Sequence, residues 1–212
     1  CQTAPRMPAS SEAGSVPDLP DSPAYAVDPA ASQLRVLVHR DGPLARFGHS
    51  HVVIAPVSGI VHAGEKSADS GFRLEVRVDD FDVDPAAARA EEGGEFAADV
   101  SAEAREGTRA NLLGEKLLDA ENHPRIVIES VSLSGPRWNP DVIARITLRG
   151  VARNVEFPAA VFEAGDTITV IANFTLVQSE FGIAPFSAFG GGLKVRDALD
   201  VRVKLVARRR GS

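Results

Sequence analysis

The chain has 212 residues, 44% hydrophobic and 25% charged, with 23 basic against 29 acidic side chains, a formal net charge of −6 and one cysteine. A single thiol excludes an internal disulfide and any zinc site built on several cysteines, and the acidic balance offers no electrostatic footprint for a nucleic-acid backbone. No stretch reaches the ~18 to 20 apolar residues of a membrane-spanning helix, whereas a chain of ~200 residues can bury roughly 70% of its unfolded surface around one core.

From Cys1 to Pro23 the residues are mainly Ala, Ser, Pro, Asp and Glu, with almost no large apolar side chain. Such a composition cannot offset its ordering entropy, so residues 1–23 are expected to form a disordered tether. A Cys at position 1 ahead of such a linker has the layout of a mature bacterial lipoprotein, in which that Cys is acylated. Buried acyl chains, at ~0.8 kcal/mol per CH₂, would then hold the protein on a membrane. The expected location is the bacterial periplasm or cell envelope, with membrane association through lipidated Cys1.

The folded domain is expected over residues 24–207, ahead of a basic tail at 208–212. Its dominant pattern is alternation with a period of two, which sends successive side chains to opposite faces of a strand. Phe72, Leu74 and Val76 alternate without a fault with Arg73, Glu75 and Arg77. Segments 34–38, 51–61, 142–149, 151–161, 168–176 and 199–205 repeat the pattern less strictly, and 126–129 is apolar on both faces at its start, giving about eight strands. The short turns between them suit antiparallel pairing.

One region breaks the rhythm. Residues 85–118 are rich in Ala and Glu, with Leu113 and Leu117 at i, i+4 spacing, which predicts one or two short helices interrupted at Gly93-Gly94. Glu91, Glu92, Glu95, Glu103 and Glu106 read as a solvated helical face, and Asp79, Asp80, Asp82 and Asp84 as a solvated turn. The expected fold class is all-β, a closed barrel or a sandwich. An eight-stranded barrel has an interior just wide enough for side chains or for one small ligand. The inward-facing candidates, among them Phe72, Leu74, Val76, Ile146, Leu148, Phe157, Ile168, Val170 and Phe174, include no charge. Alternation alone leaves open whether they fill a core or line a cavity.

Several motifs then occur in an order that resembles the YceI-like family of lipid- and polyisoprenoid-binding proteins. They are Tyr25-Ala26-Val27-Asp28 leading to Ser32, Arg46-Phe47-Gly48 with Gly59, Leu117-Leu118-Asp119 followed by Pro124, Thr147-Leu148-Arg149-Gly150-Val151, and Ser179-Glu180-Phe181-Gly182-Ile183. The resemblance implies an eight-stranded antiparallel lipocalin-like barrel with a short helical insertion. Its interior would hold an isoprenoid, a quinone-like molecule or another lipid, with no cofactor and no catalytic residue. It departs from the family at three polar positions, where Ala31, Asn111 and Gln178 stand in place of His, His and Arg. The segment from Phe181 to Gly192, with Phe186 and Phe189, is a candidate lid or mouth for the cavity, or else a packed loop.

Two other readings are carried forward. His49 and His51 share a face in an extended segment, so both imidazoles can reach one ion, with His39, His62 or His123 as a third ligand. That would make a metal- or haem-binding accessory protein. Alternatively the barrel is filled and the domain serves structure or interaction. Enzyme signatures are missing, since the only thiol lies on the tether and neither a G-x-S-x-G elbow, a P-loop nor an H-E-x-x-H pair occurs.

Overall fold

Alternating apolar and charged side chains let a strand turn one face to a core and the other to water, and the strand order follows from how these faces are used. The computed structural model describes residues 11–12 and 15–210. Its main strands are β1 (Ala24–Val27), β2 (Gln33–Val38), β3 (His51–Pro56), β4 (Ser58–His62), β5 (Gly71–Arg77), β6 (Arg125–Ser134), β7 (Asp141–Leu148), β8 (Val151–Ala164), β9 (Thr167–Val177) and β10 (Ala198–Arg209). β1 and β2 lie end to end as one stave along β10. β4 and β3 make the next stave, paired to β1 and β2 respectively. From β4 the sheet continues through β5, β6, β7, β8 and β9, each antiparallel to its neighbour, and β9 closes on β10. This is a closed eight-stave antiparallel barrel, one of the two folds the alternation allows and the one the resemblance implies.

The outer face of β5 illustrates the pattern. Phe72, Leu74 and Val76 turn inward, while Arg73 donates to Glu129 across the strand pair (2.9 Å) and Arg125 to Glu75 (3.3 Å). Cross-strand opposite charges of this kind reinforce the register. β1 escapes the alternation analysis because four residues are too few to show a period.

Three of the sequence motifs prove to be joints of the barrel. Between β1 and β2 the chain leaves the sheet, and Ser32, 4% exposed, takes over the pairing: its Oγ accepts from Val206 N–H (2.9 Å) and donates to Val206 O (3.4 Å). Replacing Ser32 by Ala leaves the partly buried Val206 N–H without its acceptor, a loss of about 1 kcal/mol. Urea denaturation should show it as a lower midpoint at unchanged slope. Gly59 has φ +141°, and a Cβ there would sit 2.3 Å from Arg73 O, so the two staves can approach only around a glycine. Arg149 and Gly150, at φ +51° and +75°, form the two-residue turn between β7 and β8, with Leu148 opposite Val151; positive φ at both positions matches the twist of a tight hairpin.

The insertion forms α1 (Ala86–Glu92) and α2 (Ala102–Leu113), broken at Gly93-Gly94 as expected. Ala88 and Phe96 cover Leu37, Val52 and Ile54, making a second small core on the outside of the barrel. Two expectations fail here. Glu92 is not solvated: its side chain is 8% exposed and accepts from Arg35 (2.7 Å) and Arg202 (2.9 Å), which clamps α1 to the barrel wall, whereas Glu91 stays at the surface, 63% exposed, while also accepting from Arg35 (2.6 Å). Asp84 is not part of a solvated turn either, being 1% exposed.

Both ends of the domain also differ from expectation. Ser11 and Glu12 pair with Asn154 and Arg153 of β8, and Leu19 and Pro20 lie close to Gly71. Cys1 and the rest of segment 1–10, with 13–14, fall outside the described residues. The expected tail at 208–212 is in part sheet: Arg208 and Arg209 continue β10 opposite Ala26 and Tyr25. The final strand runs on because its pairing partner β1 is there to receive it.

Candidate functional site

The barrel interior contains two apolar lobes. The larger, with a cavity volume of ≈ 240 Å³, lies under α2 and is lined by Val36, Val38, Val53, Phe81, Leu112, Leu117, Ile126, Ile146, Leu148, Leu176, Leu199 and Val201, among others. The smaller, of ≈ 100 Å³, lies toward the opposite end, against Val61, Phe72, Leu74, Leu133, Val142, Phe157, Ile168, Val170 and Val203. Leu34, Ile128 and Phe174 line both lobes and form a waist between them. The rings of Phe157 and Phe174 stack there at 4.5 Å with their planes 14° apart. Protein interiors are normally packed to near-crystalline density, so voids of this size inside an apolar wall stand out.

Polar groups occur at the rims. His51, Thr108, Asn111 and Gln178 border the larger lobe. Gln178 is buried, and its Nε2 donates to Arg196 O (2.9 Å). Asn111 is on the exposed side of α2. The two positions at which the sequence departs from the family pattern on this side therefore face one space. Arg137 and Glu163, which pair with each other, border the smaller lobe.

Nine of the twelve sequence candidates line these lobes: Phe72, Leu74, Phe157, Ile168 and Val170 the smaller, Ile146, Leu148 and Phe186 the larger, and Phe174 both. Val76 and Phe181 instead fill the wall, 0% and 1% exposed. Phe189 turns to solvent, 80% exposed. The contribution of α2 through Leu112, of the turn after it through Leu117, and of β3 through Val53 to the larger lobe escaped the sequence reading. Their apolar spacing was visible, but not which helix would cover which opening.

His51 belongs to a buried ionic network. Its Nδ1–H donates to Asp84 Oδ2 (2.6 Å). Asp84 Oδ1 also accepts from Val52 N–H (2.9 Å) and from Arg89 Nη1 (2.5 Å). Arg89 in turn donates to Ser50 O (2.8 Å) and Ala98 O (2.8 Å). Burial alone would raise the Asp84 carboxyl, but the hydrogen bonds from His51, Val52 and Arg89 outweigh it and hold the group below its ordinary value of 3.8. Beside it, Ser50 Oγ donates to Glu95, which also faces His39 (2.7 Å). The Ser50 hydrogen bond is the main reason the Glu95 carboxyl is lowered. His39 Nε2 reaches Asp200 as well (3.0 Å).

His49 is exposed, and its ring centroid is 6.5 Å from that of His51. Among the described residues no group of three or more His, Cys, Asp or Glu is placed to hold a metal ion. His51 has a carboxylate-oriented imidazole, as a general base does. Yet its side-chain partner among those residues is Asp84, and no hydroxyl or thiol is hydrogen-bonded to it.

Eight antiparallel staves around an apolar interior, with polar groups at the rims, define a lipocalin-like barrel. The family model described as "YceI-like domain" matches residues 25–207, and the chain belongs to that family. Among solved structures, Burkholderia cenocepacia BcnA is similar with a TM-score of 0.61 and 16% identity, over 85% of this chain and 98% of that one. A polyisoprenoid-binding domain from Saccharophagus degradans has a TM-score of 0.60 and 13% identity, over 89% of this chain and 99% of that one. The YceI protein of Campylobacter jejuni gives 0.53 and 10%, over 74% and 82%. At these identities the likeness is one of fold. No curated protein matches the sequence.

Proposed function

We propose that the protein binds a hydrophobic chain molecule inside its barrel, to sequester or carry it, and has no enzymatic activity. The observation that carries this reading is the pair of apolar lobes meeting at Leu34, Ile128 and Phe174. Removing apolar surface from water stabilises a complex by about 25 cal/mol per Å², and a preformed cavity avoids the cost of opening one. The neighbour from Saccharophagus degradans, described as a polyisoprenoid-binding domain, supports a prenyl or similar lipid chain as the ligand. The polar head would stay at the rim with Asn111 and Gln178, and the chain would lie in the larger lobe.

A fluorescent long-chain acyl or prenyl probe in detergent-free buffer tests the reading. Saturable uptake at one probe per barrel is expected, and no uptake sinks the proposal. The waist makes a sharper prediction. Phe174→Ala joins the two lobes, so binding should shift toward longer chains when acyl probes of increasing length are compared. An unchanged length preference would show that the lobes act separately.

The proposal also places the barrel in the bacterial cell envelope, held by acylated Cys1. Fractionation of cells expressing the wild type and Cys1→Ser checks this part alone, since loss of membrane association in the variant is the expected result.

A further inference from the structure

Among the described residues, most of the exposed large hydrophobic side chains gather in one place. Leu44, Phe47, Phe186 and Phe189 are 36%, 67%, 38% and 80% exposed, and they sit on two loops joined into one flap. Leu44 N–H donates to Gly192 O (2.8 Å) and Val195 N–H to Phe186 O (3.1 Å). Residues Leu193–Val195 form a small sheet with Arg40–Asp41 on one side and Ser187–Ala188 on the other. The flap stands at the rim of the larger lobe, which Phe186 and Val195 help to line. A contiguous apolar patch in water marks an interaction surface.

Two further observations say what that surface fits. Phe189 has φ +52°, a conformation that bulky L residues rarely adopt. Its ring gains no burial within the protein in return, so the strain points to a use outside it. The two loops of the flap carry charge of one sign along their own length, with acids only where they end, at Asp41, Glu180 and Asp197. Neither 42–49 nor 181–196 contains an Asp or Glu, in a chain that has 29 of them. The same stretches carry Arg46, Lys194 and Arg196, and the Arg46 guanidinium lies 4.7 Å from the centroid of the Phe47 ring. Asp41, at the base of the flap, is 3.7 Å from Lys194. Exposed aromatic rings among basic side chains suit the headgroup zone of an anionic bilayer. The other exposed aromatics, Trp138 and Phe162 (69% and 58%), sit beside the paired Arg137 and Glu163 and lack this basic surround.

We infer that the flap is a docking surface for anionic phospholipid bilayers, which holds the mouth of the larger lobe against the membrane so that a lipid chain passes into the barrel without crossing water. The role in transfer rests on the ligand-binding reading, whereas the docking itself does not. Full-length protein carrying Cys1→Ser, and so unable to be acylated, is sedimented with vesicles of phosphatidylcholine alone or with phosphatidylglycerol. Binding is expected to the phosphatidylglycerol vesicles and to weaken as salt is raised. Phe47→Ser together with Phe189→Ser should lower partitioning roughly tenfold or more, as expected for losing the burial of such rings. Trp138→Ser should leave it unchanged, and the double variant should take up the acyl probe in vesicle-free buffer as the wild type does. Protein that stays in solution with phosphatidylglycerol vesicles overturns the inference, as does equal binding by the double variant or self-association through the flap in place of vesicle binding. Vesicle binding without probe uptake would keep the docking surface and remove the carrier role, and uptake without vesicle binding would do the reverse.

Discussion

Asp84→Ala is expected to destabilise the protein by about 3–5 kcal/mol, the range for breaking a buried ion pair from one side. The side chains of Asp84 and Arg89 are 0% and 6% exposed. Removing the carboxylate therefore strands a guanidinium that is held in place by Ser50 O and Ala98 O. It also takes the acceptor from Val52 N–H and from His51. Asp84 has φ +54°, which Asn tolerates better than most residues, so Asp84→Asn isolates the charge from the backbone effect and should cost less. The pH dependence separates the two further. A carboxyl held below its unfolded value adds stability that is fully present above that value and is lost as pH falls through the folded one. With Asp84 and Glu95 both lowered, wild-type stability should decline as pH drops below about 4. In Asp84→Asn that acid limb should be shallower in urea titrations repeated across pH. A limb of equal slope would mean that the acid sensitivity lies in other carboxyls.

Filling the larger lobe should abolish ligand binding while the fold survives. Val36 and Val201 face each other across β2 and β10 and both line this lobe. Val36→Phe with Val201→Phe places two rings where the chain of a ligand would lie. Overpacking costs about 1–3 kcal/mol in a well-packed core, and the existing void of ≈ 240 Å³ absorbs part of the added volume. Probe affinity is expected to fall at least roughly tenfold, equivalent to about 1.4 kcal/mol, with the β-sheet circular dichroism spectrum unchanged. Undiminished binding in a folded variant would move the ligand out of this lobe. A preserved response in Trp138→Ser provides the matched control at the far end.

The strands were legible because burial on one face imposes a period of two, and β5 carries that period through Phe72, Leu74 and Val76. β1 was invisible because four residues hold too little of it, and its placement depends on a partner, β10, more than 170 positions away in the sequence (Ala207 opposite Val27). Asp84 was misread for a related reason. Next to Asp79, Asp80 and Asp82 it looked like one more solvated carboxylate, and only the return of α1 brings Arg89 against it. Glu92 shows the same limit, since an acidic residue on a helix is solvated unless the surface beneath carries Arg35 and Arg202.

The candidate site was legible in outline and not in plan. Alternation identified which side chains turn inward, but side chains that fill a wall and side chains that line a void have the same pattern. Val76 and Leu74, two residues apart on one strand, fall on opposite sides of that distinction. Likewise nothing local separates Phe186, which closes on the lobe, from Phe189, which faces water. The difference arises from the backbone turn that follows Ala188 and from the pairing of Ser187–Ala188 with Leu193 and Lys194.

The most direct measurement is organic extraction and mass spectrometry of the protein purified without detergent from its own host. The predicted result is a hydrophobic chain molecule near one equivalent per barrel, lost from Val36→Phe with Val201→Phe purified in parallel. A wild-type barrel that yields no such molecule, and that takes up neither acyl nor prenyl probe afterwards, would contradict the claim that its interior is a ligand site.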